Sequence, residues 1–249
     1  MIDHHIATDP TIEAALASEA VVAFSVSGGK DSTAATVATN AYLDRIGHPR
    51  SRRVLIHADL GSIEWRSTPG QLTALADATG LELIVARRRA GGLVERWQQR
   101  FASGTAHYAN LETLNLIGPW SSSALRFCTS EMKAQVIGPQ LRRCYPGQTI
   151  ISVVGLRRFE SLSRANAPIA PVDTRFAKPG NTAGTSMLTW HPIIEWTDPQ
   201  VYAFHEQHKL PLHEAYLRWS ATRMGCTFCV LASLHNLDAS TRAPANHEV

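Results

Sequence analysis

Charge is scarce in this sequence. Asp, Glu, Lys and Arg make up 18% of its 249 residues, and the formal balance is only +3. So low a charged fraction excludes wholesale disorder. So small a balance gives no guide to partners from bulk charge. Long apolar runs are also missing, since no stretch approaches the roughly 20 residues that cross a bilayer. The start carries Asp3, Asp9, Glu13 and Glu19 and lacks a basic segment leading into an apolar one. It does not read as a signal peptide. A cytoplasmic, reducing compartment and no membrane association are the resulting expectations. Cysteine is sparse: Cys128, Cys144, Cys226 and Cys229. In such a compartment these are metal ligands or catalytic groups before they are disulfides.

What is present is apolar patterning, at 44% hydrophobic residues. A valine-rich run at Val21–Val26 predicts a buried strand. Further strands are predicted over Arg53–Ala58, Leu81–Ala86, Thr149–Val154 and Leu188–Trp196. Helical spacing predicts helices over residues 11–19, Ser32–Ile46, Thr68–Thr79, Leu93–Phe101, Ser130–Arg143 and Asp198–His208. This alternation implies parallel strands with helical crossovers. The expected fold class is α/β, a Rossmann-like, mainly parallel sheet with helices on both faces. One domain is expected over 1–249, with a core at about 20–235. Pro168–Thr185 reads as a loop and a candidate for mobility, and the polar tail at about 239–249 as frayed.

Between the first strand and its helix stands Ser27-Gly28-Gly29-Lys30-Asp31-Ser32. Glycines let backbone N–H groups approach an anion. The helix start adds its own N–H groups and partial positive charge. Lys30 supplies a full charge, and Ser27 and Ser32 supply hydroxyls. Asp31 fits either a helix cap or a cation ligand. The glycine spacing before Lys30 is too short for a Walker A loop. A plain Gly-Gly turn with Asp31 as cap is the competing reading.

Cys226-Thr227-Phe228-Cys229 places two thiols within one turn, which serves a metal, a redox pair or a cluster anchor. His191, His205, His208 and His213 are alternative ligands or ordinary core and surface residues. Arg87–Arg89 follow a strand at its carboxyl end, where α/β sheets bind ligands, and guanidinium forks suit phosphate there. Arg50, Arg52 and Arg53 fall at the opposite end and read as a solvated loop.

Several segments, in order, resemble the phosphoadenosine phosphosulfate (PAPS) reductase family. The Ser27–Ser32 loop resembles the PP-loop of the wider adenine nucleotide α-hydrolase-like superfamily. His57-Ala58-Asp59-Leu60-Gly61 is similar to the family's strand-end D-x-G. Arg126-Phe127-Cys128-Thr129-Ser130-Glu131-Met132-Lys133 resembles its R-x-C-x-x-x-x-K. Gly155-Leu156-Arg157-Arg158-Phe159-Glu160-Ser161-Leu162-Ser163-Arg164 resembles its G-x-R-x-x-E-S-x-x-R. His191-Pro192-Ile193-Ile194-Glu195-Trp196-Thr197-Asp198, continued to Val201, is similar to its P-I-x-x-W-T-x-x-x-V. Arg223-Met224-Gly225-Cys226-Thr227-Phe228-Cys229 is similar to its R-x-G-C-x-x-C.

The resemblance implies an enzyme that binds an adenine nucleotide, ATP or PAPS/APS, through Ser27, Gly28, Gly29, Lys30, Asp31, Ser32 and Gly155. Asp59 is implied at a ribose or a magnesium ion. Lys133, Arg157 and Arg164 are implied to stabilise charge on phosphate or sulfate. Cys128, Cys226 and Cys229 are implied to hold a [4Fe–4S] cluster, with Cys144 a candidate fourth ligand. The sequence departs from the assimilatory reductases in two places. Thr129 stands where they have the second cysteine of a pair, and no cysteine follows Cys229. The pattern is closer to ATP-using sulfur-insertion members, in which ATP adenylates an acceptor and sulfur displaces AMP. Sulfonucleotide reduction by an external thiol is the alternative, and a non-catalytic binding module the second. The implied partners are a sulfur donor or a thiol reductant protein. A homodimer is compatible with the sequence; a nucleic-acid acceptor is open but has no support from charge.

Overall fold

The computed structural model describes residues 4–122, 124–171 and 181–248. Part of the loop expected over Pro168–Thr185, residues 172–180, lies outside them. The described chain divides into two compact units. The first holds residues 1–57, 67–85 and 138–214, and the second holds 58–66, 86–137 and 215–249.

Five strands form one parallel sheet. They are β1 (Val21–Ser25), β2 (Arg53–Asp59), β3 (Leu83–Arg87), β4 (Thr149–Val154) and β5 (Ser186–Trp190), in the order β3-β2-β1-β4-β5. Val22 pairs with Arg53 on one side and Ile151 on the other, and Ile151 in turn with Leu188. Val21–Phe24 and Arg53–Ala58 are buried at every residue, so neither face of these strands meets solvent. That explains their near-continuous apolar runs. The order changes direction at β1, which is where open α/β sheets bind ligands. The last strand is shorter than expected. It ends at Trp190, because Pro192 lacks the N–H that a ladder requires and His191–Ile194 turns instead.

The helices are α1 (Pro10–Ala17), α2 (Lys30–Arg45), α3 (Thr68–Thr79), α4 (Leu93–Ala109), α5 (Phe127–Thr129), α6 (Gln135–Cys144), α7 (Asp198–Gln207), α8 (Glu214–Leu217) and α9 (Leu234–Thr241). The first unit's core packs Val22, Phe24, Leu55, Ile151, Val153, Trp190, Trp196 and Phe204 with Ile12, Leu16 and Leu43. The helix expected over Ser130–Arg143 is present but begins as a π-helical segment, Ser130–Ala134. Such segments are rare and are frequent at functional sites.

Two expectations are corrected. Arg53 is not solvated: its side chain is buried and bonds Asn40, Asp44 and the His48 carbonyl. A buried charge persists only when paired in this way. The tail is not frayed either. In the second unit Ala239 and Ala243 pack with Trp65, Ala215 and Ala221, and Asn246 donates through Nδ2 to the Ser240 carbonyl at 3.1 Å. Small apolar residues at helical spacing supply the buried face that the polar composition concealed. Among the described residues, no helix is long and apolar enough to cross a membrane.

Candidate nucleotide and thiol sites

In the first unit the loop from β1 to α2 turns at Gly28, whose φ of +76° lies in the left-handed region that favours glycine. Ser32 folds its hydroxyl back, donating to the Gly29 carbonyl at 3.0 Å and accepting from the Ser27 N–H at 3.3 Å. Gly29 is the residue before α2 and makes no side-chain cap bond. Asp31 does not act as that cap. Its carboxylate accepts from Arg157 Nε at 2.7 Å and from Lys30 Nζ at 3.1 Å. Gly155, just past β4, meets the loop from the other side. A Cβ there would stand 2.5 Å from the Asp31 carbonyl oxygen, so only glycine permits the approach.

Arg157 is 3% exposed and Lys30 4%, and both also reach Asp198 at the start of α7. Lys30 Nζ stands 3.2 Å from Asp198 Oδ1, and Arg157 donates to the same oxygen through Nη2. Burial pushes the Asp198 carboxyl up, but Lys30 and Arg157 outweigh it and hold it below the usual range. Burial works against the charge on Arg157, and Asp31 and Asp198 more than restore it. Tyr202 lies one turn along, with its ring centroid 5.6 Å from Lys30 Nζ. His205 lies a further turn on, with Nε2 2.9 Å from the Lys30 carbonyl. These i, i+4, i+7 positions share one face of α7. Sequence reasoning missed that face, although the spacing of Asp198, Tyr202 and His205 was there to be read. Arg164 makes its ion pair with Glu160, whose other oxygen accepts the Arg157 N–H at 3.0 Å.

Three of the histidines read as alternative metal ligands serve structure here. His191 bonds the Pro168 carbonyl, His205 the carbonyls of Lys30 and Leu210, and His213 the hydroxyls of Ser67 and Thr68. Cys144 is exposed at the end of α6, where Gln140 donates to its sulfur at 3.6 Å.

In the second unit Asp59 is held at both oxygens. Oδ1 accepts from the Gly61 N–H at 2.7 Å, and Oδ2 meets Arg87 Nε at 2.8 Å. Cys128 and Cys226 pack against Leu60, Ile63, Leu93, Phe127 and Met132. Burial pushes the Cys226 thiol up to about 11; Lys133 pulls it down, and Cys229, Cys128 and Glu64 add to the rise. The three matched cysteines and Lys133 therefore share one neighbourhood. Among the described residues, no three of His, Cys, Asp and Glu stand close enough to hold a single metal ion. Thr227, between Cys226 and Cys229 in sequence, is 1% exposed, and its hydroxyl finds no hydrogen-bond partner among the described residues.

The chain is an α/β protein with a parallel sheet, and a glycine loop, a buried lysine and a buried arginine stand at its switch point. The sequence profile of the phosphoadenosine phosphosulfate reductase domain matches residues 21–232, and the chain belongs to that family. The adenosine 5'-phosphosulfate reductase of Shouchella clausii (strain KSM-K16) is 32% identical over 85 residues, 34% of this chain. That match spans 31% of the relative's own length. In structure, the chain is similar to a phosphoadenylyl-sulfate reductase from Candida auris, a phosphate complex, at a TM-score of 0.52 and 13% identity. The likeness covers 86% of this chain and 85% of that one and concerns the fold. A U34-tRNA thiolase from Methanococcus maripaludis, with its [4Fe–4S] cluster, matches at a TM-score of 0.45 and 12% identity, over 94% of this chain and 72% of that one.

Proposed function

We propose that this chain is an enzyme that binds an adenine nucleotide at Ser27–Ser32 and transfers sulfur by ATP-dependent adenylation of an acceptor. The observation that carries the nucleotide reading is the convergence of buried Lys30 and Arg157 at the loop, with Gly155 drawn against Asp31. Two nearly desolvated cations beside a helix start suit the multiple negative charges of a phosphate group. Asp59 and a magnesium ion remain candidates for the ribose and the polyphosphate, and Lys133 and Arg164 for charge on the transferred group. In the reaction, an acceptor oxygen attacks the α-phosphorus and pyrophosphate leaves. A sulfur nucleophile then displaces AMP.

The thiols suit an iron–sulfur cluster better than a single metal ion. Each thiolate of such a cluster binds its own iron, so the ligands need not crowd around one atom. The unpartnered Thr227 hydroxyl is a donor that a sulfide-bearing group would satisfy. Cys128, Cys226 and Cys229 would hold the cluster. When bound, it would supply an iron with no matched thiolate, open to another ligand or the incoming sulfur.

A second reading is favoured by the 32% identity to a sulfonucleotide reductase. In it an external dithiol attacks the sulfur of APS or PAPS, releases sulfite and becomes a disulfide. Anaerobic protein should therefore be assayed for pyrophosphate from ATP with candidate acceptors, and for sulfite from APS and PAPS with thioredoxin-type thiols. Sulfite without pyrophosphate would replace the first reading by the second. Colourless protein carrying about one zinc and no sulfide would remove the cluster.

A further inference from the structure

The cation pair at the loop is already neutralised. Lys30 and Arg157 face Asp31 and Asp198, one carboxylate for each positive charge. Glu160 adds negative charge near Arg157, which its own partner Arg164 offsets. An incoming phosphate would meet a group with no net positive charge, although charge is what should draw it there. One member of the quartet must give way.

Burial identifies which one. Lys30 and Arg157 are 4% and 3% exposed, whereas Asp198 is 58% exposed. The Asp31 side chain is 21% exposed, well below that of Asp198. Asp198 is not needed to cap its own helix, because Thr197 and Gln200 form the capping box of α7. Its carboxylate is therefore the half-exposed, replaceable anion on two buried cations.

We propose that Asp198 is a built-in competitor for the polyphosphate of the nucleotide: its carboxylate and the incoming phosphate contend for Lys30 and Arg157, and this contest sets the affinity of the loop. The inference rests on the reading of Ser27–Ser32 as the phosphate site. Asp198 is then a specificity-determining residue. The more negative charge a ligand brings to the two cations, the more readily it displaces the carboxylate, which favours a pyrophosphate group over a single phosphate monoester.

Calorimetric titration of inorganic pyrophosphate into the full chain tests this. Asp198→Asn should bind about fivefold tighter than the unmodified protein, the scale of a half-exposed ion pair. Asp198→Ser, also uncharged and suited to a helix start, should shift the same way if the amide variant folds poorly. Lys30→Ala should bind more weakly. Unchanged or weaker binding in both Asp198 variants, with Lys30→Ala impaired, would overturn the proposal and leave the phosphate site standing. Equal binding by the unmodified protein and Lys30→Ala, or no binding by any form, would overturn both.

Discussion

Gly155 and Asp31 meet backbone to backbone: a Cβ on Gly155 would lie 2.5 Å from the Asp31 carbonyl oxygen and 2.9 Å from the Ser32 Cα. Neither contact is with a flexible side chain, so a methyl group there must move the loop. Gly155→Ala should destabilise the protein by about 1–3 kcal/mol and weaken nucleotide binding. Gly70→Ala is the control. Gly70 lies in α3 with nothing within 4 Å of its added Cβ, so its substitution should be neutral or stabilise by up to about 1 kcal/mol. Urea unfolding of both variants, with equal losses, would contradict the assigned contact.

Arg157 donates to Asp31, Asp198 and the Trp196 carbonyl at once. A lysine ammonium offers no planar fork to span them. Arg157→Lys should therefore lose about 1–3 kcal/mol of stability through groups left without a partner. Combining it with Asp31→Asn should cost less than the sum of the two changes. Strict additivity in a double-mutant cycle would mean that the two residues do not act together.

Iron and acid-labile sulfide should fall together in Cys128→Ser, Cys226→Ser and Cys229→Ser. Cys144→Ser should keep both, because Cys144 sits exposed on α6 beside Gln140. Loss of iron from that variant would make it the fourth ligand.

Acid should weaken the fold before any carboxylate protonates. Burial lowers the pKa of His48, His191 and His213 below the ordinary 6.5. The unfolded chain then takes up protons first as pH falls through about 6.5, while the folded chain stays neutral at these rings. Stability should drop from pH 7 towards pH 5, by at most about 1.4 kcal/mol per pH unit for each histidine. Below about pH 4 the loss should steepen, as Asp198 and Glu131, both held low in the folded chain, become protonated in the unfolded one. A urea midpoint that stays level from pH 7.5 to 5.5 would exclude the histidine contribution.

The sheet was legible because its strands are buried on both faces and so appear as unbroken apolar runs, from Val21–Val26 to Thr149–Val154. The loop was legible because glycine, lysine and serine stand where a strand gives way to a helix. Burial of Arg53 was not, since its partners Asn40, Asp44 and His48 come together only when α2 packs beside β2. The role of Asp198 was hidden for a similar reason. In sequence it is one acidic residue at a helix start, and only folding brings Lys30 and Arg157 to the same oxygen. The pairing of Asp59 with Arg87 was not legible either, since the two lie on neighbouring strands far apart in sequence.

The π-helical turn at Ser130–Ala134 holds one residue more than an α-helix would place in the same length. Each residue advances an α-helix by about 100°. Deleting a single residue there would let the segment wind regularly, and Phe127, Cys128 and Thr129 would keep their present face of the helix, whereas a deletion in the regular turns of Gln135–Cys144 would rotate them by that angle. A one-codon deletion within α6 should then disable Cys128 as thoroughly as replacing it, while the π turn alone can lose a residue and leave that thiol in place.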